Sequence, residues 1–320
     1  MNEELTKNLA PGHGTCAGCG IPVIVRTILG ATDDPVVVIN ATGCLEVTTT
    51  VYPYTPWKVP YIHNAFENAA ATASGVEAAY KVLLKRGKIP RQARDDSPRR
   101  IKFVVFAGDG GTYDIGLQSL SGALERGHEF VFVCYDNQAY SNTGGQRSSA
   151  TPFGASTQTT PSDRKDFGNE LFRKDIIEIV KAHHIKYIAQ ANAAYPEDLK
   201  AKAEKAFATK GPSFLLVFQP CNNEMKFPTS QYVAVGKLAT ESNFWPLYEI
   251  SAQGGSATGG EKMKYTINYA PKERKPIEEF LKTQGRFKHL FTPENKKIIE
   301  EIQGQVDEGW KRLQKVASIK

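Results

Sequence analysis

Ile101-Lys102-Phe103-Val104-Val105-Phe106-Ala107-Gly108-Asp109-Gly110-Gly111 opens the stretch that decides the fold. Its first seven residues, rich in β-branched and aromatic side chains, read as a buried strand that breaks at a glycine turn holding one aspartate. From Asp114 to Arg126 the apolar residues Leu117, Leu120, Ala123 and Leu124 return at helical spacing, and Gly127 closes the helix. A second apolar run, Phe130-Val131-Phe132-Val133-Cys134-Tyr135, leads into Asp136-Asn137-Gln138-Ala139-Tyr140-Ser141-Asn142-Thr143-Gly144-Gly145. Strand, helix, strand predicts two parallel strands joined by a right-handed crossover. Both polar loops then leave the same carboxyl edge of the sheet, where open α/β sheets bind ligands.

The residue types in those loops suit a metal-bound diphosphate. Gly110 and Gly111 let backbone N–H groups approach an anion, and the helix start behind them adds partial positive charge. Asp109 would repel a bare phosphate, and a divalent cation between the two removes the conflict. Mg²⁺ takes about six hard oxygen ligands and commonly shares them with phosphates. Asp109, the amide oxygen of Asn137 and a backbone carbonyl near Ala139 form one face of such a shell, with the diphosphate completing it. A Gly-Asp-Gly turn alone equally suits an ordinary strand–turn–helix junction. The Asp-Asn pair closing the next parallel strand is what makes the two loops converge.

The 320 residues, 41% of them hydrophobic, suffice for one large α/β domain with decoration. No apolar run approaches a membrane span, and Met1-Asn2-Glu3-Glu4-Leu5 lacks an apolar signal core, so a cytoplasmic protein is expected. The net charge of +6 is mild and spread out. No basic patch interleaves with aromatics, so it reads as a solvated exterior and not as a nucleic-acid surface.

Of five cysteines, Cys134 lies inside an apolar strand and reads as a reduced, buried thiol. The other four lie in loops. Cys16 and Cys19 form a Cys-x-x-Cys among small residues, Cys44 follows the strand Val36-Val37-Val38-Ile39-Asn40, and Cys221 follows Phe214-Leu215-Leu216-Val217-Phe218. Four loop thiolates suit iron–sulfur ligation or structural zinc, whereas disulfides are not expected in a cytoplasmic chain with so few cysteines. Zinc sites of this type more often use two close pairs, and only one close pair is present here. Spacing alone leans towards iron–sulfur and leaves zinc open.

Elsewhere, Tyr52 to Pro60 is too proline-rich for a regular element. Ile62-His63-Asn64-Ala65-Phe66-Glu67-Asn68 reads as the opening of an alanine-rich helix through Tyr80 and Leu84, with His63 first of all a hydrogen-bonded structural residue. Arg86 to Arg100 reads as a surface connection. The polar loop after Arg147 suits a lid or a partner-facing surface. A short helix is expected at Ile176–Val180, a strand at Ile185–Ala189, a helix at Pro196–Lys210, a hairpin between Phe244 and Tyr269 with its turn in Gln253–Gly260, and a helix from Thr292 to Lys315. The expected division is residues 1–225 as the ligand-binding domain and 226–320 as a C-terminal arm, hairpin and helix packing on neighbouring subunits.

Gly108-Asp109-Gly110 with Asn137 after the next strand resembles the thiamine diphosphate motif of thiamine-dependent enzymes. Tyr140-Ser141-Asn142-Thr143-Gly144-Gly145-Gln146 narrows the resemblance to the 2-oxoacid:ferredoxin oxidoreductases, and within them to the β subunit. It runs from about Leu9 to about Pro220. The resemblance implies the thiamine diphosphate-binding fold, a mostly parallel sheet with helices on both faces. It also implies oxidative decarboxylation of a small 2-oxoacid, pyruvate foremost, with electrons passed singly through a [4Fe–4S] cluster to ferredoxin and coenzyme A taking the acyl group. The alternative within the family is an oxalate oxidoreductase, which releases CO₂ without coenzyme A and needs extra donors for a dianion, such as Arg147.

Carried over by position, Gly108, Asp109, Gly110, Gly111, Asn137, Gln138, Ala139, Tyr140, Ser141 and Asn142 hold thiamine diphosphate, with Asp109, Asn137 and Ala139 on Mg²⁺. Cys16, Cys19, Cys44 and Cys221 ligate the cluster, and Cys44 also lies at the cofactor. Ile21 is expected by the aminopyrimidine or thiazolium, His63 and Asn64 towards the cofactor side, and Asn142 at the oxygen of the reacting carbon as the catalytic donor. The activating glutamate, the aminopyrimidine-binding domain and the ferredoxin-like clusters are expected on partner subunits, because this sequence has no ferredoxin-type cysteine run. A hetero-oligomer with two copies of each subunit follows. From another class, a non-catalytic Cys₄-zinc assembly module would be colourless, hold zinc and lack thiamine affinity.

Overall fold

Six short runs pair side by side in parallel: Val36–Ala41 (β1), Tyr61–Asn64 (β2), Lys102–Gly108 (β3), Val131–Asp136 (β4), Tyr187–Asn192 (β5) and Ser213–Phe218 (β6). Tyr248–Gln253 (β7) and Lys262–Ile267 (β8) add to the β5 edge in antiparallel fashion. The sheet order is β2-β1-β3-β4-β6-β5-β7-β8. A computed structural model describes residues 6–89, 100–163, 166–253 and 262–318.

β4, β5 and β6 are buried at every position, because alternate residues serve two separate cores. This is why β4 and β6 read as unbroken apolar runs and not as alternating ones. On one face Val104, Phe106, Val133, Tyr135, Leu215 and Val217 pack with Ile21–Leu29 (α1) and Pro196–Ala208 (α6). On the other, Val105, Ala107, Phe132, Cys134, Phe214 and Leu216 meet Ala69–Lys85 (α3) and Leu117–Glu125 (α4). Cys134 is fully buried there, as a strand thiol should be.

The Ile62–Asn68 segment differs from its expectation: Tyr61–Asn64 is a parallel edge strand, and helix α3 starts only at Ala69. Tyr61 stacks on Trp57 at 4.8 Å, and its hydroxyl hydrogen-bonds with the Asn40 side-chain amide at 3.0 Å. These contacts, with the ladder to β1, outweigh the local helical tendency. The short helix Ile176–Lys181 (α5) and helix α6 form close to their expected bounds, and the β5 strand begins at Tyr187. The tip of the β7–β8 hairpin, most of the Arg86–Arg100 connection and residues 1–5 lie outside the described residues.

Beyond Cys221 the chain returns to the same body. Asn222–Met225 (α7), Tyr232–Glu241 (α8), Ile277–Lys282 (α9) and Lys296–Ala317 (α10) follow in order. Val235, Trp245, Phe280, Phe287, Leu290, Ile298 and Ile302 bury their side chains in the core shared with β3, β4 and β6. The hairpin thus extends this chain's own sheet. Among the described residues no helix is long and apolar enough to cross a membrane.

Candidate active site

β2 lies to one side of β1 and β3 to the other, so the loops after β1 and β3 diverge and leave a crevice at the carboxyl edge, the usual ligand position in such sheets. Its walls come from Thr42, Gly43 and Cys44 after β1, from Gly108, Asp109 and Gly110 at and after the end of β3, and from Tyr135, Asn137 and the run Ala139 to Thr143 at and beyond the end of β4. The two loops singled out in the sequence therefore meet. Gly108 ends β3 and Asp109 starts a single π-helical turn, Gly110–Asp114. A side chain at Gly110 would lie 2.2 Å from the Tyr140 ring, and one at Gly111 3.0 Å from the Phe66 ring. Aromatic rings thus pack directly on the turn's backbone, and the Tyr140 hydroxyl fixes its ring by donating to Asp114 at 2.8 Å.

At the cleft floor three oxygens crowd one point. The Asn137 side-chain oxygen stands 3.0 Å from Asp109 Oδ1 and 2.7 Å from the Ala139 carbonyl oxygen, none of which carries a hydrogen to share. Turning the amide over would place its nitrogen there and satisfy these acceptors by hydrogen bonds. The alternative is a cation. Octahedral Mg²⁺ with bonds of about 2.0–2.1 Å spaces neighbouring oxygens by roughly 2.9 Å, close to the separations seen. The residues present fit Mg²⁺, and through it a diphosphate.

The electrostatics agree. Burial, then the nearby Asp136, pushes the Asp109 carboxyl well above the ordinary carboxylate range, despite a Ser148 Oγ hydrogen bond of 2.5 Å. A cation is the partner that would keep it ionised. Asp136 is committed elsewhere: its carboxylate accepts from Tyr113 Oη at 2.8 Å, Arg173 Nη2 at 2.7 Å and the Gln138 N–H at 3.0 Å.

Not every expected residue reaches the cleft. Gln138 has φ of 67°, a left-handed kink that aims both Asn137 and the Ala139 carbonyl at the metal point. Its own side chain turns inward, where Oε1 accepts from Arg286 Nη2 at 2.6 Å. Ile21 is 1% exposed on the sheet-facing side of α1 and is not part of the cleft wall. Ser141 donates to the Asn137 oxygen at 2.9 Å. Asn142 is exposed at the cleft mouth. Arg147 Nε is turned to Asn169 Oδ1 at 3.3 Å and does not line the cleft. His63 and Asn64 are spoken for by Thr42 Oγ1 at 3.0 Å and by backbone carbonyls of Asn40 and Ile62 respectively.

The four loop cysteines share one neighbourhood beside the cleft. Cys16 and Cys19 precede α1, Cys44 opens the short helix Cys44–Val47 (α2) and Cys221 caps α7. Burial, then Cys221, Cys19, Cys16 and Asp109, raises the Cys44 thiol to about 12. Burial likewise raises Cys19 to about 12, with Cys221 and Cys16 adding to it. No three His, Cys, Asp or Glu side chains among the described residues close around one ion. A polynuclear cluster holds its thiolates further apart than one ion's shell, and it supplies the positive charge that these crowded thiols lack. Asn223 Nδ2 approaches Cys16 Sγ at 3.4 Å and Gln219 Nε2 approaches Cys19 Sγ at 3.9 Å, the kind of amide contact that tunes cluster sulfurs. The donor set fits a [4Fe–4S] cluster.

With this geometry in view, residues 41–217 match the family model described as the thiamine pyrophosphate enzyme C-terminal TPP binding domain. The chain is 49% identical over 310 residues to pyruvate synthase subunit PorB of Thermotoga maritima, covering 95% of this chain and 90% of that protein. It is 48% identical to pyruvate synthase subunit PorB of Methanocaldococcus jannaschii, covering 95% of each. The chain is a 2-oxoacid:ferredoxin oxidoreductase β subunit of the pyruvate type. This β subunit is one component of a multi-subunit oxidoreductase and carries a thiamine diphosphate-binding domain. It is also 42% identical to ketoisovalerate oxidoreductase subunit VorB of Pyrococcus abyssi, over 98% of this chain and 94% of that one. Its fold matches a solved 2-oxoglutarate:ferredoxin oxidoreductase from Magnetococcus marinus with a TM-score of 0.55 at 23% identity, covering 69% of each chain.

Several residues around the β subunit's cleft carried no signal in the sequence. Ser148 reaches Asp109 from a polar loop, and nothing local marks it. That loop is packed in, with Ala150, Thr151 and Ala155 fully buried and Asn169 Nδ2 donating to the Thr151 carbonyl at 3.0 Å. Arg286, 2% exposed, arrives from the C-terminal segment. Burial lowers its guanidinium to about 9, although Cys221, Asp136, Glu224 and Asp109 all act to raise it. The Glu224 carboxylate occupies the space where a Gly145 side chain would lie, 1.9 Å from that point. It thereby ties the Cys221 loop to the Tyr140–Gln146 loop.

Proposed function

We propose that this β subunit binds thiamine diphosphate through Mg²⁺ on Asp109, Asn137 and the Ala139 carbonyl, and a [4Fe–4S] cluster on Cys16, Cys19, Cys44 and Cys221, to oxidise pyruvate with coenzyme A and ferredoxin. One observation carries this: Cys44 lines the same cleft as Asp109 and Asn137, so a cluster thiol borders the cofactor's diphosphate end. Bound thiamine diphosphate supplies the electron sink for decarboxylating a 2-oxoacid, and an iron–sulfur cluster supplies one-electron acceptance, which zinc lacks.

The chain's own residues then bind, orient and shield. Asp109 and the Gln138 kink would hold the metal, and the backbone of the Gly110–Gly111 turn would offer its N–H groups to the diphosphate. Asn142 at the cleft mouth offers a neutral donor to the oxygen of the reacting carbon, where charge develops. Arg147 does not line the cleft, and its Nε is turned to Asn169; the similarity to pyruvate synthase subunits is what favours pyruvate over oxalate. The VorB relative supports a second reading, a branched 2-oxoacid. Exposed Val51, Tyr52 and Tyr54, at 63%, 94% and 79%, follow the Cys44 loop and suit cover by a partner subunit bringing the aminopyrimidine-binding domain, the activating glutamate and ferredoxin-like clusters. Residues 226–320 are proposed to meet neighbouring subunits with their outer face, in a cytoplasmic hetero-oligomer.

The test is substrate profiling of the anaerobically purified complex with pyruvate, oxalate and the branched 2-oxoacid, each with and without coenzyme A, following ferredoxin reduction. Pyruvate turnover that needs coenzyme A is expected. Turnover of oxalate or the branched acid alone would move the substrate assignment, and a colourless, zinc-containing complex would overturn the proposal.

A further inference from the structure

Two tyrosines flank the cysteine quartet. The Tyr135 and Tyr232 hydroxyls are both buried without a well-formed hydrogen bond to the protein, although a buried hydroxyl normally finds one. Each comes close to a glycine next to a cysteine, and Tyr232 fills the space a side chain there would need. A side chain at Gly43, before Cys44, would lie 3.2 Å from the Tyr135 hydroxyl oxygen, and one at Gly20, after Cys19, 1.6 Å from that of Tyr232. They come from unrelated parts of the chain, β4 and α8. Tyr135 pairs in register with Gly108 at the end of β3 and lines the cleft. Among ionisable neighbours Cys44 acts most strongly on Tyr135, and Cys19 then Cys221 on Tyr232. The polar groups nearest to them do not settle the matter. The Leu45 N–H faces Tyr135 and the Gln219 amide flanks Tyr232, and as donors to the tyrosine oxygens they leave the hydroxyl protons themselves unplaced.

We propose that these two hydroxyls donate to the sulfurs at Cys44 and Cys19 and raise the cluster's readiness to accept an electron, with Gly43 and Gly20 giving them clearance. This rests on the cluster assignment above. O–H···S donation stabilises the more negative, reduced cluster, so removing it lowers the reduction potential. Tyr135 and Tyr232 are positioning residues: they act on the cluster and not on substrate. On this view the C-terminal segment, through Tyr232, takes part in setting the electron path.

The experiment uses the complete multi-subunit complex carrying Tyr135→Phe, Tyr232→Phe or both. Iron, sulfide and thiamine diphosphate content are measured first, followed by redox titration of the cluster's electron paramagnetic resonance signal. Each variant is expected to keep wild-type iron and cofactor while its midpoint potential falls. The equilibrium constant for reducing the cluster should drop about two- to tenfold per hydroxyl, the worth of one hydrogen bond, with the effects multiplying in the double variant. Should a variant fail to assemble, wild-type complex alone decides: exchangeable protons coupled to the reduced cluster, seen by electron–nuclear double resonance before and after transfer to D₂O, must include two not on nitrogen. Unchanged midpoints with iron retained, or no such protons, overturn this inference and leave the cluster assignment standing. A wild-type complex without iron overturns both.

Discussion

Replacing Asp109 by Asn should move affinity and stability in opposite directions. Asp109 is 1% exposed with Asp136 as its neighbour, so in cofactor-free protein its charge is a burden. Asparagine keeps the volume and an oxygen for Ser148 Oγ, which now donates to the carboxylate at 2.5 Å. The melting temperature of the cofactor-free complex is therefore expected to hold or rise. In the loaded state the same change removes the anionic member of the oxygen group, in which the Asn137 side-chain oxygen lies 3.0 Å from Asp109 Oδ1 and 2.7 Å from the Ala139 carbonyl oxygen. Losing one partner of a buried, closely paired charge costs about 3–5 kcal/mol, or about two to four powers of ten in affinity. Calorimetric titration of stripped complex with thiamine diphosphate at fixed Mg²⁺ reads the affinity, and a thermal scan of the same sample reads the stability. Affinity within tenfold of wild type would refute the metal-ligand role. A large fall in cofactor-free stability would show that Asp109 serves the fold instead.

Gly110→Ala places a methyl carbon 2.2 Å from the Tyr140 ring, an overpacking of about 1–3 kcal/mol. Thermal denaturation should show the loss, and thiamine diphosphate affinity should weaken with it as the ring is pushed across the cleft. Cys44→Ser is expected to deplete iron and sulfide while far-ultraviolet circular dichroism stays native, because Cys44 is a loop residue at the α2 start; full iron content would remove it from the ligand set. Burial alone would raise Glu77, but hydrogen bonds from Lys81, His128 and the Glu129 N–H outweigh it and hold the carboxyl below its ordinary 4.5. That contribution is complete above the unfolded value and is lost as pH falls through the folded one. Glu77→Gln should thus lower the melting temperature at neutral pH, and its gap to wild type should narrow as pH falls below the ordinary 4.5 and through the lowered folded value.

What was legible in the sequence followed from unbroken apolar runs and from loops that end them. β3 and β4 could be read because every residue of their centres is buried, and the parallel pairing then put Asp109 beside Asn137 without further information. β2 could not: it is a half-exposed edge strand whose stability lies in the ladder to β1 and the Asn40 contact, both distant in sequence, and in a Trp57 stack that no helix or strand period announces. Ile21 and Gln138 sit at the right positions along the chain, but side-chain direction depends on the face of α1 and on one left-handed residue. Arg286, Ser148 and Tyr232 come to the site only through tertiary packing, so no local pattern could have announced them.

The most direct measurement is a structure of the anaerobically purified complex with anomalous scattering recorded at the iron and zinc edges. An iron cluster bonded to Cys16, Cys19, Cys44 and Cys221, with thiamine diphosphate and Mg²⁺ on Asp109, Asn137 and the Ala139 carbonyl, is the result this account predicts. A single zinc ion among the cysteines, or a diphosphate bound away from Asp109, would contradict it.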